Sequence, residues 1–329
     1  MAVGLAVVLA AMAGAPAEQP RDTVALAVRG EPIRVERYGA AQERVWIESA
    51  AMGRVMAVDV LRGVGDGPLP TLYLLDGVDG KLVSDWLTKG RAAEFFADKP
   101  VDVVLPAGGA GSMYSDWEQP DRVLGWNRWE TFLTEELPAV VEPYLNGDGR
   151  RAVGGVSMGA QAAMMLAHRH PGLYRSVAGI SGCYSTTDAP GRAVTTMTVG
   201  SRGGNVENLW GPWGSPEWQA HDSLLNAEGL RGTAVYVSAA TGVPGVLNLA
   251  EALTARDAVE AMGVAGGGIS LEAGAHYCTE RFAQRLNELQ IPATVLYLPT
   301  GIHSWLDFAV QLEPAWRSIA AAFGTAPGK

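Results

Sequence analysis

Residues 151–168 decide the fold, and they read Arg-Ala-Val-Gly-Gly-Val-Ser-Met-Gly-Ala-Gln-Ala-Ala-Met-Met-Leu-Ala-His. Arg151–Val156 is mostly small and apolar, which predicts a short buried strand. Gly159–His168 is rich in alanine and methionine, which predicts a helix that closes near Pro171. The residues between them, Gly155-Val156-Ser157-Met158-Gly159, match the pattern G-x-S-x-G. A strand joined so tightly to a helix predicts a nucleophile elbow.

Ser157 is the predicted nucleophile of this elbow. The glycines on either side allow a turn in which larger side chains would collide. The turn holds the serine at a helix N-terminus, where backbone N–H groups point at any developing oxyanion. The alternative is a glycine-rich turn with an incidental serine, and the flanking strand and helix favour the nucleophile.

The rest of the chain alternates between strand and helix patterns. The predicted strands are Arg44–Ile47, Val55–Leu61, Leu69–Leu75, Val101–Leu105, Ser176–Ile180, Ala234–Ala239 and Thr294–Leu298. Further helices are predicted over Trp129–Tyr144, with a kink at Pro138, and over Glu313–Phe323. This alternation predicts the α/β class, and with the elbow it predicts an α/β-hydrolase fold: a mostly parallel central sheet with helices on both faces.

Residues 18–329 are predicted to form one domain. Apolar residues make up 48% of the chain and charged residues 18%, which suits one sizeable core. The segment 185–230 is rich in Gly, Trp and Pro and is predicted to be an insertion over one end of the sheet. Its tryptophans (Trp210, Trp213 and Trp218) could line an acyl-chain site or simply pack in a core. The formal net charge of −10 leaves no basic footprint for nucleic acid or an anionic membrane.

Residues 1–17 are almost wholly small or apolar. Such a run is long enough for a secretory signal peptide and too short to span a bilayer comfortably. Small residues offer cleavage after Ala15 or Ala17. An apolar N-terminal helix is the alternative, but export is favoured, and no later run reaches eighteen apolar residues. We therefore expect a secreted protein with no transmembrane span.

The two cysteines, Cys183 and Cys278, have neither CxxC nor zinc-type spacing. One disulfide is arithmetically possible in an oxidising compartment, but their positions in the sequence do not bring the two thiols together. We expect both cysteines to be unpaired.

His303 is the predicted general base, because serine needs a base to take its proton. It follows the last predicted strand and the break Pro299-Thr300-Gly301, where the α/β-hydrolase order places its histidine. The other histidines are expected to have other roles. His168 and His170 would cap a helix end, His221 would lie on the surface or in a loop, and His276, four residues after Glu272, lacks the further ligands of a metal site.

The acid that orients the imidazole should lie between the strand at 234–239 and His303. Glu251, Asp257, Glu260 and Glu272 all lie in this interval, and their pattern does not separate them.

The sequence resembles the antigen 85 mycolyltransferase family of mycolate-making actinobacteria. The resemblance runs from Val45 to Trp316, and six ordered blocks carry it: Tyr73–Gly77, Tyr114–Trp117, Trp129–Leu133, Gly155–Met158, Leu209–Pro212 and His303–Trp305. It implies the α/β-hydrolase fold, a Ser-Glu-His triad and no metal or organic cofactor. It also implies transfer of mycoloyl groups between trehalose esters and onto cell-wall sugars, outside the cytoplasm.

The same resemblance assigns residues. Leu271-Glu272, Phe282 and His303 fit the family register, so it implies that Glu272 is the acid. It implies an oxyanion hole formed by the backbone N–H groups of Val78 and Met158. It also implies that Asp76 and Trp305 contact sugar, although Asp76 could instead cap its loop and Trp305 could instead pack.

One substrate-site position departs from the family. An arginine usually stands two residues after the glycine of Leu-Asp-Gly, and here that residue is Asp79. An acid in place of a cation alters sugar hydrogen bonding, so trehalose specificity is in question.

Three functions remain open from the sequence. The leading one is a secreted acyltransferase, expected to be a monomer, that takes a trehalose mycolate-type glycolipid and a sugar acceptor as partners. The second is a secreted carboxylesterase. The third is a non-catalytic cell-wall-binding protein on the same scaffold, which the intact Ser157, Glu272 and His303 argue against.

Overall fold

The structure is a computed structural model that describes residues 30–254 and 258–327. The predicted signal peptide, residues 1–17, lies outside the described residues. Within the described ranges, nine strands form one sheet. They are β1 (Arg34–Arg37), β2 (Gln42–Ser49), β3 (Arg54–Leu61), β4 (Thr71–Leu75), β5 (Asp102–Pro106), β6 (Arg151–Val156), β7 (Ser176–Ile180), β8 (Ala234–Ala240) and β9 (Ala293–Leu298).

The sheet is mostly parallel, as predicted. Its order is β1-β2-β3-β5-β4-β6-β7-β8-β9. β1 pairs with β2, β2 with β3, and β3 with β5, all antiparallel. Every further pair, from β5 through β4 to β9, is parallel. β1 was not predicted, because it is a four-residue edge strand with no buried residue to mark it.

Helices lie between the parallel strands and after the last of them. They are α1 (Asp85–Thr88), α2 (Ala92–Phe95), α3 (Trp129–Thr131), α4 (Leu137–Leu145), α5 (Met158–Arg169), α6 (Ala189–Gly200), α7 (Val206–Trp210), α8 (Pro216–Ala220), α9 (Val246–Thr254), α10 (Ala258–Glu288) and α11 (Trp305–Phe323). A π-helical stretch, Phe132–Glu136, joins α3 to α4 and ends two residues before Pro138. A kink was predicted at Pro138, and the structure has a change of helix type just before that residue.

The two faces of the sheet bury separate hydrophobic clusters. Successive side chains of a strand point to opposite faces. In β4, Tyr73 and Leu75 join a cluster that includes residues of α4 and α5, whereas Leu72 and Leu74 join one that includes residues of α1 and α11. Helices therefore cover both faces, which agrees with the predicted architecture.

Two helices differ from the sequence prediction. α10 was not predicted as a long helix, because glycines such as Gly266, Gly267 and Gly268 lower helix propensity by about 1 kcal/mol each relative to alanine. α11 begins at Trp305 and not at Glu313, because the Ser304 side chain caps it by accepting from the backbone N–H of Asp307. Pro314 therefore lies inside the helix and does not open it.

The expectation of unpaired cysteines is wrong. Cys183 and Cys278 form a disulfide, with their Cα atoms 4.9 Å apart. The bond joins the loop after β7 to α10, across a separation of 95 residues. Spacing in the sequence could not show this, because the two residues meet only when α10 packs beside the sheet.

The 185–230 segment contains α6, α7 and α8. Trp210 and Trp218 are buried and meet edge to face, with ring centroids 5.4 Å apart. These two tryptophans therefore pack in the core, and Trp213 is the exposed one. In residues 30–254 and 258–327, each helix is too short or too polar to cross a bilayer.

Candidate active site

The candidate site lies at the carboxyl edge of the parallel strands, where α/β proteins place their ligands. Ser157 occupies the turn between β6 and α5 with φ 55° and ψ −116°. A positive φ is strained for a residue with a side chain and is tolerated where the surroundings enforce it. A Cβ on Gly155 would collide with the backbone of Gly159, and a Cβ on Gly159 would collide with the carbonyl oxygen of Asp76. Both glycines are therefore needed for the turn.

His303 lies between Ser157 and Glu272. Its Nε2 is 2.8 Å from the Ser157 Oγ, and its Nδ1 is 2.7 Å from Oε2 of Glu272. The loop between β9 and α11 carries His303, and the His303 backbone N–H donates to the carbonyl oxygen of Gly268 at 2.9 Å. The ring packs edge to face on Phe308, with centroids 4.9 Å apart. The structure thus brings the three predicted residues into one chain of hydrogen bonds.

Glu272 is fully buried on α10. Its second carboxylate oxygen, Oε1, accepts hydrogen bonds from the Ser181 hydroxyl and from the backbone N–H of Ala240, each at 2.7 Å. A buried carboxylate needs such donors, because the charge has lost its water. Of the other acids considered, Asp257 and the side chains of Glu251 and Glu260 lie outside the described residues.

Ser181 and Ala240 were missed by sequence reasoning. Each lies at the carboxyl end of a strand, after β7 and at the end of β8, and that position was the available signal. Two residues after Ser181, Cys183 forms the disulfide to α10. Tyr184 then packs on Phe282 of α10, with ring centroids 4.6 Å apart. The helix that carries Glu272 is thereby attached twice to the loop that carries Ser181.

Val78 and Met158, the predicted oxyanion donors, lie on adjacent segments. Met158 is the first residue of α5, and Val78 follows Gly77 in the loop after β4. A Cβ on Gly77 would lie 3.7 Å from the Ser157 Cβ, so this loop passes beside Ser157. Within the described residues, neither backbone N–H donates a hydrogen bond to the protein. Both are therefore free to bind an oxyanion.

Asp76 is buried at the end of β4, where its Oδ1 accepts from the Ser84 hydroxyl at 2.9 Å and from the Trp86 backbone N–H at 3.3 Å. These bonds hold the start of α1. Its Oδ2 is buried with no partner among the described residues. Burial raises the pKa of Asp76 from 3.8 to about 7. The capping interpretation is thus seen in the structure, and the sugar contact stays a prediction.

The raised pKa makes Asp76 a source of pH-dependent instability. The folded protein keeps this proton up to about pH 7, whereas the unfolded chain releases it near pH 3.8. The contribution of Asp76 to the free energy of unfolding is therefore constant below about pH 3.8 and decreases as the pH rises to about 7. Asp76→Asn keeps an oxygen for Ser84 and Trp86 but cannot ionise. Urea unfolding should show that the free energy of unfolding of the variant, relative to the wild type, increases by up to about 4 kcal/mol between pH 4 and pH 8.

The exposed Asp66 offers a matched control, Asp66→Asn, which should show no such gain. An Asp76→Asn variant whose stability relative to wild type is independent of pH would contradict the raised pKa.

Trp305 is partly exposed beside His303. Its ring meets Trp86 edge to face at 5.1 Å and Phe308 at 5.8 Å, measured between centroids. The packing interpretation is therefore seen, and the exposed part of the ring leaves room for the predicted sugar contact.

Among the described residues, His303 is the one histidine that is hydrogen-bonded to Ser157. His168 and His170 are at the far end of α5, where burial lowers the pKa of His168 to about 3 and the His170 Nε2 is 2.8 Å from Glu130. His221 lies in the turn after α8, so the loop alternative is confirmed and the surface alternative is wrong: its ring is buried and stacks on Trp210 at 4.4 Å. His276 meets Glu280 at 3.4 Å. In the part of the chain that the structure describes, no group of three or more His, Cys, Asp or Glu could hold a metal ion.

Comparison with known proteins places this chain in a family. Residues 49–319 match the family model of the Esterase family. The diacylglycerol acyltransferase/mycolyltransferase Ag85A of Mycobacterium tuberculosis is 31% identical over 301 residues, which are 88% of this chain and 84% of that protein.

Solved structures agree on the fold. The crystal structure of Mycobacterium tuberculosis MPT51 aligns with a TM-score of 0.70 and 29% identity, covering 86% of this chain and 99% of that one. An S-formylglutathione hydrolase from Agrobacterium tumefaciens aligns with a TM-score of 0.64 and 16% identity, covering 89% and 99%. The second match bears on the fold alone. Together with the sheet topology, these matches confirm the predicted α/β-hydrolase fold.

Proposed function

Because this chain belongs to the Esterase family and, within it, to the antigen 85 mycolyltransferases, we propose that it moves mycolate-type acyl groups from trehalose esters to sugar hydroxyls through a Ser157 acyl-enzyme. Membership confirms the predicted class of enzyme, an acyltransferase or serine esterase. The observation that carries the proposal is the His303 imidazole, which is hydrogen-bonded to Ser157 on one side and to Glu272 on the other.

The hydrogen bond to Glu272 sets the tautomer. A neutral imidazole that donates from Nδ1 to a carboxylate keeps the lone pair of Nε2 free. Nε2 takes the proton of Ser157 as Oγ attacks the ester carbonyl. The Val78 and Met158 N–H groups bind the oxyanion, and the intermediate collapses when His303 returns the proton to the departing alcohol.

The second half of the reaction reverses these roles. A sugar hydroxyl enters, His303 takes its proton, and the resulting alkoxide attacks the acyl carbonyl. The Ser157 oxygen then leaves with the proton from His303. Asp76 and Trp305, beside the site, are the proposed contacts for sugar. The reaction as proposed uses no metal or organic cofactor.

Export is part of the proposal. The Cys183–Cys278 disulfide supports it, because disulfides form and persist in oxidising compartments. The apolar run at residues 1–17 supports it as well. We place the enzyme in the cell envelope or outside the cell.

Hydrolysis is the second candidate function. Water can attack the same acyl-enzyme through the same histidine, so the triad serves a carboxylesterase equally well. The absence of the family arginine favours this alternative, because Asp79, which stands in its place, supplies no cation to the sugar by itself. The choice between the two reactions depends on how well the acceptor sugar competes with water.

Product analysis separates the candidates. Purified protein would be incubated with trehalose monomycolate and radiolabelled free trehalose, with Ser157→Ala as the blank. Transfer predicts labelled trehalose ester that is absent from the blank. Free fatty acid without labelled ester would overturn the transferase proposal and establish the esterase. No product of either kind above the blank would contradict both.

A further inference from the structure

The loop after β4 carries a charged residue next to the proposed oxyanion donor. Asp79 follows Val78 directly, and its Oδ1 is 2.9 Å from a guanidinium nitrogen of Arg202. Arg202 comes from a distant part of the sequence, two residues after the end of α6 in the 185–230 segment. An ion pair therefore joins that segment to the loop at the site.

The stem of Arg202 is held against a second loop, which follows β5 and contains Gly111. A Cβ on Gly111 would lie 2.9 Å from the Arg202 Cβ, so the two backbones approach closely there. Gly111 has φ +62°, a conformation that favours glycine. Its backbone N–H donates to the Val78 carbonyl oxygen at 3.1 Å. Arg202 thus packs on the peptide that positions Val78.

Both members of the pair remain accessible. The side chains of Asp79 and Arg202 are each 37% exposed. A guanidinium has five N–H donors and a carboxylate can accept about four hydrogen bonds, so one mutual contact leaves most of this capacity free. Lys89 is the only other basic side chain within 4.0 Å of Asp79 in the described residues, and it lies closer to Asp85, at 2.9 Å.

We propose that Asp79 and Arg202 form a specificity-determining pair that binds hydroxyl groups of the acceptor sugar. The carboxylate accepts from one hydroxyl while the guanidinium donates to the oxygen of a neighbouring one, which suits vicinal hydroxyls. The pair is neutral overall, so it favours an uncharged polyol over an anion. This inference rests on the proposed transferase function, since water needs no such contact.

The test is the partition of the acyl-enzyme between sugar and water. p-Nitrophenyl butyrate would acylate the enzyme, trehalose would be the acceptor, and trehalose ester and free butyrate would be measured together. Asp79→Ala, Arg202→Ala and the double variant should each lower the ratio of transfer to hydrolysis about tenfold or more, through a higher KM for trehalose. The double variant should be little worse than either single one. Arg231→Ala removes an exposed pair with Glu228, remote in sequence from the site loops, and should leave the ratio unchanged.

The outcomes distinguish the two proposals. A wild-type enzyme that yields butyrate but no trehalose ester would overturn the transferase function and this pair with it. A wild type that transfers, beside variants with the same ratio, would overturn the pair alone. Equal losses of transfer and hydrolysis would also overturn it, because they indicate a structural role. If the alanine variants fail to fold, Arg202→Lys keeps the charge and loses the planar fork, and it should lower the ratio severalfold.

Discussion

Replacing Ser157 with alanine is expected to lower kcat for ester cleavage by about 10⁴-fold or more. The variant has no oxygen to form the acyl-enzyme, and the remaining oxyanion donors and binding contacts supply only a small part of the catalysis. The fold should be unaffected, because the one hydrogen bond of the Ser157 hydroxyl within the described residues is to His303.

Intact-protein mass measured after a serine-reactive phosphonate checks this result. The wild type should gain one adduct and the variant none. Ser318→Ala, on α11, is the matched control and should label as the wild type does. An adduct that persists in Ser157→Ala would contradict the assignment of Ser157 as the nucleophile.

Replacing Glu272 with glutamine is expected to lower kcat by about 10³- to 10⁴-fold. The amide oxygen can still accept from Ser181 and Ala240, so its NH₂ group must face the Nδ1 of His303. Two donors cannot share that contact. The imidazole therefore shifts its proton to Nε2, where it can no longer take the proton of Ser157. Steady-state rates on p-nitrophenyl butyrate measure the loss.

Glu280→Gln is the matched control for this substitution. Glu280 lies two turns further along α10, is 55% exposed and faces His276 and not His303. Thermal unfolding should show that both variants fold. A folded Glu272→Gln variant with nearly wild-type kcat would contradict the role of the acid.

The local elements of this protein were predictable because their signals are local. The strand, turn and helix around Ser157 lie within one short segment, and their glycines and apolar residues are enough to specify an elbow. The order of strands and helices then predicted the parallel sheet, and the histidine loop after β9 followed from that order. The resemblance to a known family added Glu272, which the pattern of acidic residues had left among four candidates.

The sequence by itself therefore determined the fold class, and it predicted Ser157 as the nucleophile and His303 as the base. Tertiary structure alone decided the contacts that support them. The hydrogen bond from Ser181 to Glu272 joins residues 91 positions apart, and the disulfide from Cys183 to Cys278 joins residues 95 positions apart. Arg202 meets Asp79 from a segment that the sequence marked only as an insertion. Such pairs depend on how α10 and the 185–230 segment pack against the rest of the protein. The spacing of two residues along the chain does not determine their distance in the fold, so these contacts could not be predicted from the sequence.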